Sequence, residues 1–307
     1  MASLRARTLR WITSRYIGKI DTHAEDPAEL RQKLIRVSRF LRKVRGVSVE
    51  ETTVNGLHAE WLRPKGAREG KVLLYLHGGA YVIGNCSTHR NMVSHIAKAA
   101  RMNALVPEYR LAPEHRFPAG VEDSVGVYRF LLAEGFKPED ITIAGDSAGG
   151  GLTVATLLSL RHAGDPMPAN AVLLSPFLDV TASGESMQTR ADQDPWFEQR
   201  DIEVVAELYC NDESEVRNPL VSPVFAHVAG LPPTYIQVGD DEILLSDSTR
   251  FTTKLEEAGI DVELEIFPEM WHVFQLFVGK MPEARVAINK IGDYLGSAPE
   301  EPVASEA

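Results

Sequence analysis

The residues best suited to chemistry in this sequence gather around Ser147, in the run Gly145-Asp146-Ser147-Ala148-Gly149. A β-branched stretch, Ile141-Thr142-Ile143, leads into the run, and an apolar segment from Leu152 to Leu160 leaves it. The pattern predicts a strand, a sharp turn and a helix, with Ser147 on a strained elbow. Glycines two residues to either side fit, because a side chain there would collide with neighbouring backbone. A hydroxyl raised at a helix N-terminus, whose free N–H groups favour negative charge, is placed to attack a carbonyl carbon. Gly and Ser are common enough that about one chain in ten of this length holds such a pentapeptide by accident. The partners therefore decide.

A serine hydroxyl is a poor nucleophile until a base takes its proton, and the base needs a third group to orient it. Among nine histidines the base candidate is His272, in Glu269-Met270-Trp271-His272-Val273-Phe274, which follows the C-terminal end of an expected strand. That is where α/β sheets place their sites. His58 falls in a hairpin strand, and His89, His95 and His162 read as helix-surface positions. His77, at the head of His77-Gly78-Gly79-Ala80-Tyr81, reads as a brace for that loop rather than a proton carrier. Three acids, Asp240, Asp241 and Glu242, follow the strand-like Tyr235-Ile236-Gln237-Val238-Gly239. At least two of them must be solvated or structural, since three carboxylates cannot all face one imidazole. Attack also creates an oxyanion that needs N–H donors. Backbone at Gly78, Gly79 and Ala80, after a buried strand, and at Ala148, directly after the serine, can supply them.

The elements that must position these groups alternate. Asp26-Pro27 opens a helical pattern over residues 27–45 (Leu30, Leu34, Ile35, Val37, Phe40, Leu41). Runs 47–54 and 57–62 flank Asn55-Gly56, a two-residue hairpin signal. Val72-Leu73-Leu74-Tyr75-Leu76 has the continuous apolar character of a strand buried on both faces. A helix over 92–100, a strand over 104–107, an irregular loop over 109–119 and a helix over 121–132 lead to the elbow. Strands at 171–174, 235–238 and 262–267 follow, with helices between and a last helix over 282–295. Such alternation predicts an α/β fold, a mainly parallel sheet covered on both faces. Residues 180–215 break it, being polar and helical, and an insertion between core strands is a natural lid. The polar tail, 298–307, predicts disorder.

Composition excludes several classes. The net charge of −11 argues against nucleic acid, whose binding needs a basic face. Cys86 and Cys210 form neither a metal spacing nor a disulfide framework, which suits a reducing cytoplasm. No His/Cys/carboxylate cluster has zinc-ligand spacing, so no metal is expected. No 18-residue apolar run exists to span a membrane. Residues 1–20 carry Arg5, Arg7, Arg10, Arg15 and Lys19 without an acid, and Leu4, Trp11, Ile12 and Tyr16 could share a helical face. No unbroken apolar core of a secretory signal follows. A helix packed over the protein's own site is preferred to a membrane-surface anchor.

The whole set resembles the hormone-sensitive-lipase-like carboxylesterases of the α/β-hydrolase fold. The matching residues are His77-Gly78-Gly79-Ala80-Tyr81, Tyr109-Arg110-Leu111-Ala112-Pro113-Glu114, Phe117-Pro118-Ala119, Gly145-Asp146-Ser147-Ala148-Gly149-Gly150, Ser175-Pro176, Leu231-Pro232-Pro233 and His272-Val273-Phe274. The resemblance implies an eight-stranded, mostly parallel sheet flanked by helices. Its core would comprise 46–179 and 216–297, under a helical cap formed by 1–45 and the 180–215 insertion. It implies hydrolysis of short- to medium-chain carboxylic esters through an acyl-enzyme, with Ser147 as nucleophile and His272 as base, and without a cofactor. Oxyanion donors would fall on Gly79, Ala80 and Ala148, with Gly78 shaping the turn. The family's acid often stands three residues after a glycine. Counting from Gly239, that register lands on Glu242, with Asp241 next in line. The family loop usually has a third glycine where this chain has Ala80, a change to be tolerated if φ there is negative. The expected partner is a small-molecule ester, with no nucleic acid and no stable membrane insertion; a homodimer stays open. A lactone or amide hydrolase using the same intermediate is the alternative, followed by a non-catalytic ligand-binding relative.

Overall fold

Residues Val47–Val54 (β1) and Leu57–Pro64 (β2) form an antiparallel hairpin in the expected register, Val54 opposite Leu57. Asn55 and Gly56 make the turn with φ of 50° and 85°, the left-handed pair that a two-residue hairpin loop needs. The computed structural model describes residues 2–17, 26–38 and 43–296. The 298–307 tail, Lys19 and residues 39–42 of the 27–45 helical pattern lie outside the described residues; residues 43–45 are not helical.

The hairpin continues into one eight-stranded sheet of order β1-β2-β4-β3-β5-β6-β7-β8. The remaining strands are Val72–Leu76 (β3), Asn103–Pro107 (β4), Ile141–Asp146 (β5), Asn170–Leu174 (β6), Thr234–Gly239 (β7) and Val262–Phe267 (β8). Only β2 runs against its neighbours; β4, β3, β5, β6, β7 and β8 are mutually parallel. The expected eight-stranded, mostly parallel sheet is therefore observed. Strands β3, β5, β6 and β7 are buried along their whole length, which explains their continuous apolar runs.

Helices cover both faces. They are Leu4–Ile12 (α1), Pro27–Ser38 (α2), Cys86–Ala100 (α3), Ala119–Ala133 (α4), Ala148–Ala163 (α5), Ser186–Thr189 (α6), Gln199–Tyr209 (α7), Leu245–Glu257 (α8) and Pro282–Gly296 (α9). One core packs Val127, Leu157, Leu160, Phe251 and Leu255 of α4, α5 and α8 against the sheet. The other packs Ile96 of α3 and Ile288 and Ile291 of α9 against Leu73, Tyr75 and Val172. Helix α3 begins six residues earlier than the periodicity predicts. Asn85 and Thr88 form a reciprocal capping box that fixes its start at Cys86, polar residues that carry no hydrophobic signal.

Because the strands from β3 onward are parallel, their C-terminal ends share one edge. The loops after β3, β5, β7 and β8 all open there.

Candidate active site

Ser147 stands between β5 and α5 at φ 52° and ψ −123°, and is 9% exposed. A turn this sharp needs bare backbone close by. A Cβ on Gly149 would lie 2.0 Å from the Leu76 carbonyl oxygen, and one on Gly145 would lie 2.2 Å from that of Gly149. The expected elbow is present, for the expected reason. At the start of α5, among the described residues, no hydrogen bond takes the Ala148 N–H.

The loop after β3 departs from expectation twice. Gly78 is not free to donate to an oxyanion: its N–H donates to Asp146 Oδ1 at 3.1 Å. Ala80 has φ of +56°, followed by Tyr81 at +61°, so the methyl sits in the left-handed region rather than at negative φ. Such a residue costs roughly 1–2 kcal/mol unless its surroundings hold it. Here Gly79 (φ +119°) accepts at its carbonyl from Val82 and Ile83, and Tyr81 stacks on Tyr209 of α7 at 3.9 Å between ring centroids. Among the described residues no partner takes the N–H of Gly79 or Ala80.

His272 and Glu242 are brought together. The His272 ring, 1% exposed, donates from Nδ1 to Glu242 Oε1 at 3.2 Å. The other carboxylate oxygen accepts from Gly239 N–H at 2.9 Å and from the Ser175 hydroxyl at 2.8 Å. Ser175 in turn accepts from Val273 N–H at 3.1 Å, so one side chain ties Glu242 to the loop that carries His272. Burial lowers the His272 pKa, but the hydrogen bond and charge of Glu242, with the charges of Asp194 and Asp146, outweigh it and leave the imidazole above its ordinary value. The other two acids go elsewhere. Asp241 pairs with Arg10 of α1, and Asp240 with Arg190 just after α6.

A second imidazole–carboxylate pair lies beside the elbow. His89 is not a helix-surface residue: it is 7% exposed, with Nε2 3.3 Å from Asp146 Oδ2. Burial disfavours the charged ring, yet Asp146 raises its pKa above the ordinary value. Asp146 Oδ1 accepts from the Tyr75 hydroxyl at 2.8 Å as well as from Gly78. His77 stacks between His89 and Tyr109, and its Nδ1 meets the Gly78 carbonyl at 2.9 Å. Burial, with the neighbouring His89 charge, lowers its pKa to about 3, so it stays neutral and braces the loop.

The insertion between β6 and β7 reaches both sides. Phe197 meets the His272 ring edge-on at 5.0 Å, and Trp196 at 6.3 Å. Asp194 fastens this segment, accepting from Ile243 N–H at 3.0 Å and from Trp196 N–H at 2.8 Å. Helix α2 is held from below: Arg31 donates to the carbonyls of Val82 (2.7 Å) and Ala112 (2.6 Å) and pairs with Glu114. Asp194 and His89 gave no sequence signal, each being a polar residue inside a helical or irregular run. Ser175 stood in a matched motif without a role.

Three donor groups that sequence spacing did not connect, His58, Glu60 and Cys86, lie within 4.8 Å of one another. Glu60 is held by Arg90, and the Cys86 thiol donates to the Val106 carbonyl at 3.1 Å. Among the described residues no helix is long and apolar enough to cross a membrane.

Comparison with known proteins matches residues 73–276 to a family described by its alpha/beta hydrolase fold. A Streptomyces hygroscopicus protein named acetyl-hydrolase is 43% identical over 249 residues, covering 81% of this chain and 83% of that one. An esterase of Acinetobacter venetianus is 34% identical over 271 residues, 88% of this chain and 89% of its own. Among solved structures, an esterase of the bacterial hormone-sensitive lipase family superposes with a TM-score of 0.91 at 42% identity, covering 96% of this chain and 98% of that one. EstE5, in crystals soaked with p-nitrophenyl butyrate, superposes at 0.91 with 41% identity over the same shares.

Proposed function

Since the chain belongs to the alpha/beta hydrolase fold family and is an ester hydrolase, we propose that it is a serine carboxylesterase acting on short- to medium-chain esters through an acyl-enzyme. Ser147 Oγ attacks the ester carbonyl while His272 accepts its proton. Negative charge gathers on the carbonyl oxygen, met by the N–H groups of Gly79, Ala80 and Ala148. His272 returns the proton to the departing alcohol. Water then takes the same route, its proton passing to His272 as its oxygen attacks the acyl carbon, and Ser147 is released. Glu242 stays ionised, holding the ring in the tautomer with hydrogen on Nδ1 and stabilising the imidazolium that forms. The observation that carries this reading is the buried hydrogen bond between His272 and Glu242, in loops at the sheet edge where Ser147 stands. The acyl range rests on relatives: one is named an acetyl-hydrolase, and another was soaked with a butyrate ester.

The test is hydrolysis of p-nitrophenyl acetate and butyrate by the wild type and by Ser147→Ala. The wild type turns over both, and the variant, unfolding at the same temperature, loses more than about a thousandfold in kcat. Turnover by the variant within tenfold of wild type would overturn the assignment.

A further inference from the structure

Helix α1 is fastened along the side that carries Ala6 and Thr13. Ala6 and Thr13 are buried, Ala2 N–H donates to Glu269 and Ser3 N–H to Glu283, and Arg10 pairs with Asp241 and donates to the Gln193 carbonyl. Its exposed large apolar residues face away from that side. Leu4 is 79% exposed, Trp11 56% and Ile12 37%. At 3.6 residues per turn, Leu4 and Trp11 are about 20° apart around the helix, on the side opposite Ala6 and Thr13. Exposed Arg5, Arg7 and Arg15 surround them, and residues 1–20 contain no acid in a chain of net charge −11.

From this face we infer that α1 docks the protein on anionic lipid surfaces. Trp and Leu suit the headgroup boundary, and arginines beside them suit anionic headgroups. The charge pattern selects this occupant over a second copy of the chain, because two such faces apposed would bring arginine against arginine. Residues 1–20 carry five positive charges and the rest of the chain nets −16, so attraction to anionic lipid falls to this segment. The docking surface is independent of the ester chemistry and stands or falls without it.

The experiment is flotation of the full chain with phosphatidylcholine vesicles, with and without phosphatidylglycerol, at low and high salt. Binding is expected to the anionic vesicles only, to weaken at high salt, and to shift Trp11 emission to the blue; Trp61 and Trp271 are buried and Trp196 is partly so. Leu4→Ser with Trp11→Ser, and separately Arg5→Ser with Arg7→Ser and Arg15→Ser, are each expected to weaken binding at least tenfold. Both sets should leave hydrolysis of soluble p-nitrophenyl butyrate and the unfolding temperature unchanged. No flotation at low salt, equal flotation with neutral vesicles, or variants that float like the wild type would overturn the inference. So would a concentration-dependent dimer that the serine variants abolish while vesicles remain unbound.

Discussion

Two buried imidazole–carboxylate pairs stand beside the serine elbow, built alike and placed to different ends. In each, one carboxylate oxygen meets a histidine and the other accepts a hydroxyl and a main-chain N–H. Glu242 takes the Ser175 hydroxyl and Gly239; Asp146 takes the Tyr75 hydroxyl and Gly78. The N–H that Glu242 holds belongs to the end of β7, so the pair fixes the ring proposed to move protons. The N–H that Asp146 holds belongs to the loop whose next two residues carry open donors, so the pair fixes dipoles. Equal chemistry should therefore give unequal consequences on mutation.

The largest difference is expected at the first pair. Glu242→Gln keeps size but removes the charge and lets an amide N–H face the ring, favouring the wrong tautomer; the corresponding change in a serine protease costs about 10⁴. A loss of at least a hundredfold in kcat is expected in steady-state assays. The pH profile should move with it. The proposed base, His272, must be neutral to take a proton, and its pKa is raised chiefly because Glu242 overcomes burial, so kcat/KM of the wild type is expected to fall as pH drops through that raised value. In Glu242→Gln the acid limb should shift to lower pH.

The second pair should yield a smaller kinetic effect and a clearer stability signature. His89→Gln loosens the loop without deleting a donor, and deleting one costs about 10²–10³; about tenfold in kcat is expected, with KM little changed. Folding raises the His89 pKa and lowers that of Asp146, where burial is outweighed by the facing His89. Stability from the raised imidazole is complete below its unfolded value, about 6.5, and is lost as pH rises through the folded one. Stability from the lowered carboxylate is present above about 3.9 and lost as pH falls through its folded value. The gap in unfolding temperature between wild type and His89→Gln should therefore be widest between about pH 4 and 6.5 and narrow above it.

Smallest of all should be Asp241→Asn and Asp240→Asn, below tenfold in kcat. Their partners are partly exposed arginines, and such surface pairs contribute about 0–1 kcal/mol. A crippled Asp241→Asn beside an active Glu242→Gln would transfer the orienting role to Asp241.

The two pairs also differ in how far the sequence disclosed them. His272 and the three acids follow expected strands, and parallel strands bring such loops to one edge, so the first pair was readable to within the choice among neighbours. That choice needed a family register, because Arg10 and Arg190, which occupy the other two acids, lie some 230 and 50 residues away in sequence. The second pair was hidden. Asp146 sits inside the serine motif with no role of its own, and His89 occurs in a polar first turn that looks solvated until Asn85 and Thr88 set where α3 begins. Ala80 was illegible for another reason: alanine favours negative φ, and the opposite hand goes with the Val82 and Ile83 bonds to the Gly79 carbonyl and the packing of Tyr81 against Tyr209, neither of which local sequence shows. The fold was legible from alternation and the Asn55-Gly56 turn, whereas the outward apolar face of α1 depended on which side met Asp241.

The most direct measurement on the nucleophile is peptide mapping after inactivation with diethyl p-nitrophenyl phosphate. One equivalent of p-nitrophenol should be released as activity disappears, with a single diethylphosphoryl adduct on Ser147. An inactivated enzyme carrying its adduct at another residue, or full activity with Ser147 modified, would contradict the account.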